Sequence, residues 1–192
     1  IFYVPVHKGR TFFECAIRMN DKIYKKRILV GTAYDLLCDI PFRVFPKLFS
    51  LSCGSSLKAV NYGKNAPLGF GRAAQFSLFA EAGKCAEIRM PFTDWKIELT
   101  AIKRIRFDMA NAESRSLTMF ISLYDKTGND YPEQAKEFFA DSSCAVIVEY
   151  AKMKEIFPEI DFTGISVRIR NTYPKDEERR MSVFLNYLSA EY

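Results

Sequence analysis

The residues to weigh first are those able to stack on a ligand, or hydrogen-bond to it, from the solvent face of a strand. In 116–124, Leu117, Met119, Ile121 and Leu123 alternate with Thr118, Phe120, Ser122 and Tyr124. If the aliphatic set fills a core, the rings of Phe120 and Tyr124 point the other way. Guanidinium groups follow the same rule. Arg104 and Arg106 alternate with Ile105, Phe107 and Met109, and Arg168 and Arg170 alternate with Val167 and Ile169. Gln75, Ser77 and Asn186 also fall on outward positions. Bare rings stack against C–H faces, planar amides and guanidiniums hydrogen-bond hydroxyl groups, and Arg pairs bidentately with a carboxylate or sulfate. Trp95, the one tryptophan, reads either as a stacking platform or as a core plug whose indole N–H finds a carbonyl. The candidate ligand-binding set is Trp95, Arg106, Phe120, Tyr124 and Arg168. The competing reading covers these rings with the first ninety residues or a neighbouring domain.

Other chemistry has little to work with. There is one histidine, His7, so histidine-rich metal sites and a histidine relay are poorly supplied. The five cysteines, Cys15, Cys38, Cys53, Cys85 and Cys144, lack the paired spacing of a zinc site. They sit mostly in apolar alternation and read as small buried hydrophobes. That favours a chain not built on disulfides without excluding secretion. No G-x-S-x-G elbow is present. The segment 69–74 matches a loose G-x-G-x-x-A, but a strand follows it where a dinucleotide site needs a helix. The run 125–130 has carboxylates around a Gly yet lacks the full calcium-loop pattern, and reads as a hairpin turn. Glu177 and Glu178 lie in a charged turn, whereas a glycosidase needs two carboxylates set across a cleft. No catalytic residue is assigned, and a non-enzyme is expected.

The elements that must position the outward groups are strands. Period-two alternation recurs at 11–17, 23–30, 74–79, 84–90, 103–109, 144–150, 165–169 and 183–188. Turn residues punctuate the strands at 54–56, 82–83, 111–112, 127–130 and 173–176. Helical signals are short: 151–157, ended by Pro158, a candidate turn at 32–38, and an ambiguous 132–139 that suits helix or strand. The expected fold is all-β, an antiparallel two-sheet sandwich, with 1–192 as a single domain and a weak boundary at 46–54. Aromatics make up 15% of the chain, too much Phe and Tyr to stay solvated, so disorder is excluded as the main state. The net charge of +5 is mild. The densest basic run, at 22–27, reads as a solvated strand face, so no nucleic-acid partner is expected. No stretch reaches the roughly 18 uncharged apolar residues of a membrane span. The N-terminus is not signal-like and suggests an excised or processed chain.

From about Phe92 onward the strand order carries a known pattern. A segment 105–111 holding Phe107, Asp108 and Asn111 precedes Leu123-Tyr124-Asp125. The link Phe157-Pro158-Glu159-Ile160-Asp161 follows, and a last strand runs over 183–191. This resembles the galactose-binding-like jelly-roll carbohydrate-binding modules attached to polysaccharide-degrading enzymes. The resemblance covers the last hundred residues, and most of its residues are fold determinants. The family's last strand commonly has Asp-Asn where this chain has Leu185-Asn186. The resemblance implies a non-catalytic accessory module with a polysaccharide or glycan partner, adjacent domains in a larger protein, and a secreted or cell-surface location. It implies no cofactor. Structural calcium is common in such modules, but no residue here is assigned to it. The alternative is a structural or protein-interaction sandwich, such as a spacer, an assembly subunit or a capsid-like jelly roll, since fold alone does not set function.

Overall fold

The computed structural model describes residues 12–19, 22–29, 33–35, 48–61, 72–94, 99–174 and 180–191; at 12–35, 59–61, 72, 94 and 187 it describes backbone only. Trp95, His7, Cys38 and the 69–71 glycine segment lie outside these residues, as do the side chains of the 22–27 basic run.

The described chain is a succession of antiparallel strands. They are β1 (Phe12–Met19), β2 (Lys22–Leu29), β3 (Ala33–Asp35), β4 (Ser50–Leu51), β5 (Ser56–Asn61), β6 (Arg72–Leu78), β7 (Cys85–Pro91), β8 (Arg104–Asn111), β9 (Leu117–Asp125), β10 (Asp130–Phe138), β11 (Ser142–Val148), β12 (Phe162–Arg170) and β13 (Met181–Glu191). Among the described residues one α-helix, α1 (Tyr150–Ile156), precedes β12. The candidate helical turn at 32–38 is corrected over its described residues: Ala33–Asp35 form β3, paired with β13 from Ser189 to Glu191, so sheet pairing overrides a weak local helical preference there. The ambiguous 132–139 resolves as β10.

Two five-strand ladders face each other. The first runs β10-β9-β12-β7-β4 and the second β11-β8-β13-β6-β5, with β3 added on β13; β1 and β2 form a separate hairpin. This is the all-β antiparallel two-sheet sandwich expected from the alternation, and the jelly roll that the resemblance implies. Phe76, Ile88, Phe107, Met109, Met119, Leu123, Val167 and Leu185 are drawn from both sheets into one buried cluster. Each strand of a sandwich sends alternate residues inward, so the opposite set lies on an outer face.

The join between the sheets is pinned by Asn111, which is fully buried. Its Nδ2 donates to the carbonyls of Arg115, Phe138 and Phe139 at 3.1, 2.9 and 3.0 Å, and its Oδ1 accepts from the Glu113 N–H at 2.9 Å. One side chain thus bonds backbone groups just after β8 and at the end of β10.

Candidate functional site

The register of the first sheet turns isolated outward residues into a surface. Opposite Phe120 on β9 stands Arg168 on β12, and opposite Arg168 stands Glu87 on β7. The next row aligns Ser122, Ser166 and Arg89, and the one beyond aligns Tyr124, Gly164 and Pro91. On the other side of Phe120, Thr118 is opposite Arg170, and Arg170 is opposite Cys85. Phe120, Tyr124 and Arg168, expected separately from the sequence, therefore share one sheet face.

Both rings on this face carry a guanidinium. The Arg170 Cζ lies over the Phe120 ring, 4.8 Å from its centroid, and the Arg89 Cζ lies over Tyr124 at 4.9 Å. Tyr124 is only 8% exposed. Its other side is closed by β12: a Cβ on Gly164 would overlap the Tyr124 Oη. Only a residue without a side chain leaves room for the ring there. Tyr124 is thus a support for Arg89 rather than a bare platform, and burial raises the pKa of its hydroxyl. Phe120 is half-buried and keeps part of its ring open.

The arginines are held in place. Arg89 Nε donates to Glu87 Oε1 at 2.8 Å, and that oxygen also accepts from Ser166 Oγ at 2.8 Å. The Glu87 hydrogen bond raises the Arg89 pKa against the opposing effect of burial. Arg168 donates to Glu133 Oε1, and its Nε lies 3.9 Å from Asp130 Oδ2. Burial lowers its pKa, but the Glu133 hydrogen bond and the two carboxylate charges outweigh that and raise it. Glu133 follows Pro132 in the register shift between Tyr131 and Gln134. Pro donates no N–H, so it suits this irregular edge strand. Arg168 Nε and Asp130 Oδ1 are both buried and make no hydrogen bond among the described residues.

Arg106 lies elsewhere. It stands on the outer face of the second sheet, opposite Ile147, with its side chain 57% exposed and Nη2 3.4 Å from Asp108 Oδ1. It shares no site with Phe120 and Arg168. On that second face Phe184 and Asn186 are buried, at 4% and 8% exposure, so the outward position read for Asn186 is covered. Arg89 was not singled out from the sequence, and Arg170 was read as outward but left out of the candidate ligand-binding set. Both stand in readable alternation, but their positions over the rings follow from cross-strand register, which alternation does not give.

The turn at 125–130 is a closed hydrogen-bonded hairpin. Asp125 Oδ1 accepts from Thr127 N and Oγ1 at 2.8 and 2.7 Å and from Asn129 N at 3.0 Å. Oδ2 accepts from Tyr131 Oη at 3.0 Å. Gly128 takes φ +87 in this turn, a conformation that favours glycine. Among the described residues no group of three or more His, Cys, Asp or Glu side chains is arranged to hold a metal ion.

No family model and no curated protein matches the chain. Solved structures do. An exo-beta-agarase matches with TM-score 0.54 at 7% identity over 83% of this chain and 24% of its own. A non-crystalline cellulose specific carbohydrate-binding module, CBM28, matches with TM-score 0.51 at 8% identity over 76% of this chain and 88% of its own. The protein SGBP-B from a complex xyloglucan utilization locus in Bacteroides uniformis matches with TM-score 0.51 at 11% identity over 96% of this chain and 57% of its own. The chain spans about a quarter of the length of the agarase and of an arabinofuranosidase that it also matches. At these identities the likeness is one of fold, a two-sheet jelly-roll sandwich that the CBM28 module shares.

Proposed function

We propose that the chain is a non-catalytic carbohydrate-binding module that holds a glycan against the outer face of the β10-β9-β12-β7-β4 sheet. The observation that carries this reading is the row Phe120, Arg168, Glu87 with Arg89 and Arg170 beside it. A half-open ring and three oriented guanidiniums lie on adjacent strands of one face. Such groups donate to hydroxyls in fixed directions while the ring edge meets sugar C–H groups. The exposed Phe120 surface and Arg168 make the central contacts, and Tyr124 acts by supporting Arg89. The fold shared with a cellulose-specific module and a protein of a xyloglucan locus supports a polysaccharide partner. The location expected of such a module is the cell surface or beyond it.

Native affinity electrophoresis through gels containing neutral and acidic polysaccharides tests this. At least one polysaccharide is expected to retard the protein, and Phe120→Ala to abolish the retardation while the fold survives. If nothing retards it, and light scattering shows self-association through the first-sheet face, the structural-sandwich reading takes its place.

A further inference from the structure

The arginines of the first-sheet face differ in one respect that bears on the ligand. Arg89 is engaged by Glu87, and Arg168 by Glu133 and Asp130. Arg170 is exposed, and among the described residues it has no carboxylate partner; its contact is the Phe120 ring. A guanidinium over a ring uses its π face in that contact, which leaves its N–H edge able to donate. The outward neighbours of Arg170 in its row are Thr118 and Cys85. Of the carboxylates on this face, Glu87, Asp130 and Glu133 belong to the pairs above. Glu137 stands two strands away, opposite Thr118 on the β10 edge.

Resting on the glycan-binding reading, we infer that Arg170 is a recognition site for the carboxylate of a uronic-acid residue, with Phe120 receiving the C–H side of the same sugar. The fork of a guanidinium matches a planar carboxylate with two parallel hydrogen bonds. A neutral hydroxyl leaves its charge uncompensated. The ring fixes the guanidinium before the ligand arrives, so less freedom is lost on binding. Arg89 and Glu87, bonded to one another, form the neighbouring polar surface for the adjoining sugar, and the fully buried Ser166 holds Glu87 from beneath.

The test is affinity electrophoresis of the whole chain against polygalacturonate, a sulfated galactan and a neutral β-glucan, at low and at raised salt. Polygalacturonate is expected to retard the wild type most, and salt to weaken the retardation. Arg170→Gln is expected to weaken polygalacturonate binding by about ten- to hundredfold, and Arg170→Lys, which keeps the charge but loses the fork, by most of that. The thermal midpoints of both should stay near wild type, because the side chain is exposed. Equal binding by Arg170→Gln and wild type would overturn the assignment. So would retardation by the sulfated or neutral polymer alone, which leaves the module reading standing. Retardation by none of the three overturns the uronate site, and extending the failure to every polysaccharide overturns the module reading as well.

Discussion

At the scale of single residues, two positions make sharp demands. Gly164 lies where a Cβ would overlap Tyr124 Oη and come within 2.6 Å of the Met90 carbonyl. The second contact is with backbone and cannot be relieved by a side-chain rotation. Gly164→Ala should therefore destabilise by about 1–3 kcal/mol and shift Tyr124 and Arg89 from their stack. Urea denaturation measures the first effect and the Tyr124 ring resonances the second. Unchanged stability and spectra would show that the ring does not lie against β12. Asp125 makes a pH-dependent demand. Thr127 and the Asn129 N–H hold its carboxylate well below the usual range. A group whose pKa is depressed on folding stabilises above its unfolded pKa and loses that contribution as pH falls below about 4. Asp125→Asn should flatten the acid limb of the stability profile, followed by thermal melts between pH 5 and about 2. An acid limb identical to wild type would place the titration elsewhere.

At the scale of elements, the ends of β8 and β10 depend on Asn111. Asn111→Asp keeps the shape and the acceptor but removes the donors that reach Arg115, Phe138 and Phe139. The Phe138 carbonyl is the buried one of the three, and leaving it unmet costs about 1–3 kcal/mol, so Asn111→Asp should lose about as much stability as Asn111→Ala. If the Asn111→Asp variant melted like the wild type, the donor role would be wrong. Strands such as β8, β9 and β12 were legible because each buries one face, which prints alternation into the sequence. β10 was not, since Pro132 to Glu137 are exposed on an edge strand, and no periodicity is required of a segment wet on both sides. The short β3 and β4 carry too few residues to show a period. The Asn111 junction was visible as part of a family-like pattern, whereas its hydrogen bonds were not.

At the scale of the whole molecule, the sandwich brings together side chains distant in sequence. The site joins β7, β9, β10 and β12, which span residues 85–170. Alternation told which residues face outward but not which of the two outer faces they share. It therefore grouped Arg106 with Phe120 and Arg168, although β8 and β9 belong to different sheets. It also left open what covers a ring, and the answer on the first sheet is arginine. The 15% aromatic content goes largely into filler such as Phe76, Phe107, Phe138 and Phe162, all at most 1% exposed. Because both sheets share this core, Phe107→Ala should cost about 3–5 kcal/mol and lower the stability of both sheets together. Hydrogen exchange would show this as an equal loss of protection in β9 and β13. Loss confined to β8 and its neighbours would contradict a shared core.

The outer face of the first sheet is the proposed seat of a glycan. Backbone and arginine side-chain resonances followed while a retarding oligosaccharide is titrated in would test it directly. Shifts are expected to concentrate on Arg89, Phe120, Ser166, Arg168 and Arg170, with Arg106 and Phe184 unmoved. Shifts centred on Arg106 and β11, or confined to the loops, would contradict it.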